Sequence, residues 1–158
     1  MTTLALLPAS LKRLFARIDA AGTSEHSLEM ALDHWRIRRG ERVFPSFSDV
    51  DVEQLGPLAS HLFIFERRGK AEWNVRFVGD AAKTLLGAPA NEPTLAKLEN
   101  RRLAARLRLL FGWVEETGEA VSATFISPDQ SGEILVAPLG GDGQKVEGMY
   151  GGIVLHRP

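Results

Sequence analysis

One stretch limits the fold of this chain more than any other. Residues 100–117, NRRLAARLRLLFGWVEET, set Leu103, Leu107, Leu110 and Val114 at helical spacing with Phe111 beside them, and Gly118 ends the run. An apolar stripe that tight has to be buried against another layer. A second line of Arg102, Arg106, Leu109 and Trp113 lies about a quarter-turn away and predicts a further packing partner, either the N-terminal helices or a second subunit. Arg101, Arg102, Arg106 and Arg108 are expected to form a solvated face rather than a surface for phosphate or RNA.

The flanking segments supply the layer. Residues 62–65 are continuously apolar, and Glu66-Arg67-Arg68-Gly69-Lys70 turns the chain. Trp73, Val75 and Phe77 then alternate with Asn74 and Arg76, which predicts an antiparallel hairpin with a half-buried second strand. Asp80 is placed to cap a short helix over 81–86, and Gly87 closes it. After the long helix, 120–127, 133–139 and 146–156 read as three strands. Asp129-Gln130-Ser131-Gly132 and Gly140-Gly141-Asp142-Gly143 are the turns between them. Glycines 148, 151 and 152 predict a close approach of backbone or ligand to the last strand.

The front end reads as helical. Leu4, Leu7, Leu11, Leu14, Phe15 and Ile18 share one stripe, and 19–24 is a linker with Gly22 as breaker. The first helix is expected to dock on its own domain or on a twin subunit rather than on a membrane. Ser24 can cap a second helix with Glu25 in its first turn. Leu28, Leu32 and Trp35 are its stripe, and Gly40 follows the basic last turn. Ser48 or Asp49 can start another short helical turn that ends at Gly56-Pro57.

Composition narrows the function classes. Net charge is −1, so no overall field draws the chain to nucleic acid or to an acidic membrane. The absence of cysteine excludes disulfides, thiolate metal sites, a cysteine nucleophile and cysteinyl-flavin photochemistry, and suits a cytoplasmic protein. No apolar run is long enough to span a bilayer, and the N-terminus lacks the basic start of a signal peptide.

Trp35, Arg39-Gly40-Glu41-Arg42, Pro45-Ser46 and Asp49-Val50-Asp51 form a pattern that resembles the bacterial single-domain PAS proteins of the variant class common in alphaproteobacteria. Arg76-Phe77-Val78-Gly79 before a short helix, and the ending Leu-Val-Ala-Pro-Leu, turn, Gly-Gly-Ile-Val-Leu, are similar to that family too. The resemblance covers about residues 32–155. It implies an α+β fold: a PAS-like five-stranded antiparallel sheet with a long covering helix and N-terminal helices. The first and last strands are expected side by side at the centre, with a pocket between helix and sheet. On this reading 1–57 is an N-terminal helical extension and linker, and 58–158 is the sensory domain.

The function implied is a sensory or signalling module. It would bind a small apolar ligand, or none, and relay to a homodimer or a separate partner protein through the N-terminal helices. Trp73, Phe77, Ser122, Phe125 and Met149 are the candidate pocket residues, with Arg76 or Tyr150 as polar anchor. No cofactor and no nucleic-acid partner are expected. The four histidines, His26, His34, His61 and His156, lie outside the long helix where haem-binding PAS domains hold iron. None stands at a metal-ligand spacing with another and a carboxylate, so surface or capping roles are expected. Arg38 to Arg42 supplies half of a cyclic-dinucleotide motif, but Ile134 stands where its other half needs glycine. The Gly140–Gly143 turn lacks the completion of a phosphate loop. No catalytic triad is suggested. The alternative is a small enzyme of the hot-dog thioesterase type, which would need Asp80 or Glu133 facing the pocket.

Overall fold

The computed structural model describes residues 15, 17–20, 25–70, 72–126, 128–141 and 145–156. Strands β2 (Leu62–Arg68) and β3 (Glu72–Val78) form the expected hairpin, with Gly69 at φ 65° in the turn. Helix α2 (Asp80–Leu86) follows, then α3 (Arg101–Thr117), and then β4 (Val121–Ile126), β5 (Ser131–Leu139) and β6 (Gly148–Leu155). All pairings are antiparallel, and β2 and β6 lie side by side at the centre, as the resemblance implies.

The sheet has a sixth strand. β1 (Arg17–Ala20) pairs with the outer edge of β4, giving the order β1-β4-β5-β6-β2-β3. This corrects the helix expected through Ile18 and the linker expected from Asp19. The free edge of β4 offers a row of unpaired backbone groups, and a short segment that joins it gains a ladder that a marginal isolated helix cannot match. The rest of that helix, with Leu4, Leu7, Leu11 and Leu14, lies outside the described residues.

Both faces of the sheet are covered. On one, Phe111 of α3 makes edge-on contacts with Phe65 and Trp73 at centroid distances of 5.1 and 5.3 Å. On the other lies α1 (His26–Arg39), whose Leu28, Ala31, Leu32 and Trp35 are buried in the same core as the strands. Gly152 is what lets α1 sit so close, since a Cβ there would stand 2.9 Å from a Leu28 methyl carbon.

Helix ends follow local chemistry. Asn100 accepts from the Leu103 N–H at the start of α3, and Gly118 and Gly87 end α3 and α2 in the left-handed region. Asp80 is the first helical residue of α2 rather than its cap. The Ala81 N–H donates instead to Ser60 Oγ. Ser46 and Asp49 make a reciprocal capping box around a 3-10 turn at Phe47–Asp49, ahead of a 3-10 segment, Val52–His61, that breaks at Gly56. A 3-10 turn, Leu95–Lys97, precedes α3.

Candidate functional site

Cross-strand partners point their side chains to one face of a sheet. Phe63 pairs with Gly151 and Phe65 with Met149, so Met149 shares the α3 side with Phe63 and Phe65. Val136 and Ile134 continue that side across β5, followed by Val121, Ala123 and Phe125 on β4. Trp73 reaches it from β3. Three of the seven predicted pocket residues, Trp73, Phe125 and Met149, therefore share the interior under α3, and all are buried. The space between them is filled by the rings of Phe63, Phe65 and Phe111.

The other four lie on the opposite side, which corrects their expected inward orientation. A bulge between Ile64 and Phe65 shifts the β2–β3 register. Val75 opposes Phe65, Phe77 opposes Ile64, and Arg76 is the extra residue. Phe77 is thereby turned away from the side of Trp73 and Val75, and strict alternation fails at that point. Arg76 pairs with Glu66 at 2.8 Å and lies over the Phe47 ring. Ser122 opposes Leu135, and Tyr150 opposes Ile64.

Tyr150 anchors the N-terminal helix rather than a ligand under α3. It is fully buried, and its hydroxyl donates to the Ala31 carbonyl oxygen at 2.9 Å. Burial pushes the phenol well above the ordinary tyrosine range. From the helix side, Trp35 Nε1–H donates to the Pro138 carbonyl oxygen at 2.9 Å. These two bonds tie α1 to the adjacent strands β6 and β5. A buried polar group is expensive to leave unpaired, so both bonds fix how the helix sits. Sequence patterning missed Trp35 and Tyr150 as a pair because they come from distant parts of the chain.

His34 extends this contact. Its ring lies 6.5 Å from that of Tyr150, and its Nε2 accepts from the Asp51 N–H at 3.1 Å. Burial lowers its pKa first and Arg38 second, against the opposing pull of Asp51. The imidazole is therefore neutral at pH 7, as an acceptor must be.

The arginines of α3 divide. Arg101 bonds the Ala96 and Leu98 carbonyls, and Arg102 and Arg108 stand near Asp129 and Glu72. Arg106 departs from the expected solvated face. It is buried with its guanidinium 4.8 Å from the Phe125 ring centroid, and desolvation lowers its pKa. Glu133 is buried on β5 opposite Thr124, on the side of the sheet away from α3, so it does not face the interior as the thioesterase alternative requires. Among the described residues, no helix is long and apolar enough to cross a membrane.

Among curated proteins, none matches this chain. A solved structure described as an RNA-binding Light-Oxygen-Voltage receptor is similar over 61% of this chain and 29% of its own, at 15% identity and a TM-score of 0.42. The chain thus spans less than a third of that protein, and a likeness at this level carries no argument about function. The profile described as "PAS domain" matches residues 23–154, a span that runs from just before α1 into β6. With five antiparallel strands in the expected order and α3 across them, the chain belongs to the PAS domain family.

Proposed function

We propose that this chain is a cytoplasmic sensory module of the bacterial variant PAS class, without catalytic activity of its own. It responds to a small apolar ligand or to a partner protein, and relays that response through its N-terminal extension to a homodimer or a separate signalling protein. Residues 58–158 act as the sensory core, and 1–57 as the part that reports. Trp73, Phe125 and Met149 are the ligand-contacting candidates, and no cofactor is required.

The observation that supports this reading is the pair of buried hydrogen bonds from α1 to β5 and β6. The inner side of those strands faces the aromatic interior. A shift of the sheet on that side changes the seat of α1 on the other.

Native mass spectrometry of the full chain purified from its host tests the proposal. It reads oligomeric state and bound mass together. A dimer, or a complex with a partner protein, carrying a small apolar adduct is the expected result. A bare monomer with no adduct and no co-purifying protein overturns it.

A further inference from the structure

We infer that Glu25, Glu133 and His156 form a binding site for a divalent transition-metal ion of the zinc type, which would tie the start of α1 to the far end of the sheet. The three come from separate elements. Glu25 is the N-cap residue of α1, Glu133 lies in β5, and His156 follows β6. Each offers one ligand atom, and all three atoms lie within 4.8 Å of one another. Ligands around a tetrahedral zinc ion sit roughly 3.4 Å apart, so side-chain adjustments of about an ångström complete the set. His156 Nε2 already lies 3.0 Å from Glu25 Oε1.

Two further observations set this group apart from an ordinary ion pair. An N-cap side chain normally accepts a bond from the first turn of its own helix. Glu25 makes no such bond, and its carboxylate is directed at His156 instead. Glu133 is only 2% exposed, so its carboxylate stands beside the pair out of bulk water. A divalent ion serves both carboxylates at once. The mixed set of one imidazole and two carboxylates suits zinc better than magnesium or calcium, which favour oxygen alone. Three protein ligands leave a coordination position open. His156 also lines an apolar groove of about 560 Å³ with His61, Leu85, Val154 and Leu155.

The site goes beyond the sensory proposal and stands or falls without it. It is tested with zinc alone, by calorimetric titration of the chelator-treated full chain at neutral pH. One ion per chain is expected, with a Kd on the order of micromolar or tighter. His156→Ala should weaken binding by roughly a hundredfold, and His26→Ala, at an exposed neighbour, should leave it unchanged. In the unaltered chain, zinc should shift the imidazole resonances of His156 and slow amide exchange in the first turn of α1. Absence of binding up to about 100 μM zinc overturns the site. So does binding that survives in His156→Ala, or that shifts another histidine in place of His156.

Discussion

Tyr150→Phe isolates the link between sheet and helix. The substitution keeps the ring in its fully buried place and deletes only the hydroxyl that donates to Ala31 at 2.9 Å. Ala31 lies inside α1, where its carbonyl also faces a backbone donor one turn on, so it is not left bare. The loss should therefore be that of one net hydrogen bond, about 1 kcal/mol. For a domain of this size that lowers Tm by about 2–4 °C. If α1 opens as a separable unit, its amides should exchange about five times faster, as should strand amides that exchange only by global unfolding. Alkaline titration gives an independent reading, because Tyr150 is the chain's only tyrosine. Above the ordinary tyrosine range the unfolded chain releases this proton and the folded chain keeps it. The contribution is complete below about pH 10 and is lost as pH rises beyond it. The Phe variant should lack that part of the decline. An unchanged Tm, or α1 amides that exchange at their original rate, would refute the reasoning.

Two other outcomes follow from the interior and from His34. Phe111→Ala removes the ring that contacts Phe63, Phe65 and Trp73, and should cost about 3–5 kcal/mol in urea unfolding while opening a dry void that takes up benzene; a loss below about 1 kcal/mol would mean the interior is already loose. His34 has a lowered pKa, so the stability it contributes is present above about pH 6.5 and fades as pH falls. Native chain should thus lose more stability than His34→Gln between neutral and mildly acidic pH, and parallel curves would count against the Asp51 contact.

Local signals carried most of the architecture. The stripe on α3, its glycine end and Gly69 in the first hairpin turn each depend on neighbours within a few positions, and each appears in the structure where the residues call for it. The orientation of individual strand residues did not follow in the same way. Trp73, Val75 and Phe77 alternate perfectly in sequence, yet one bulged residue separates the third from the first two. Bulges depend on the partner strand, and no property of Arg76 announces one. β1 is a similar case, because four residues become a strand only when an edge is beside them. Glu25, Glu133 and His156 illustrate a third limit. Their distance along the chain hides the grouping, since ligand spacing is informative only when the ligands share an element.

The bulge in the central hairpin has a consequence for how variation in β3 is to be understood. It acts as a change of parity along the strand. Before it, odd-numbered positions from Trp73 to Val75 belong to the aromatic interior; after it, the even-numbered Val78 takes that side and Phe77 leaves it. Deleting Arg76 would remove the bulge and leave the alternation intact. Val75 and Phe77 would become neighbours opposite Phe65 and Ile64, a single rhythm that keeps residues 73–75 and 77–78 on their present sides. Losing a residue elsewhere in β3 would instead exchange an interior side chain for an exterior one, while a substitution of Arg76 itself, already outside the alternation, would leave both halves in place.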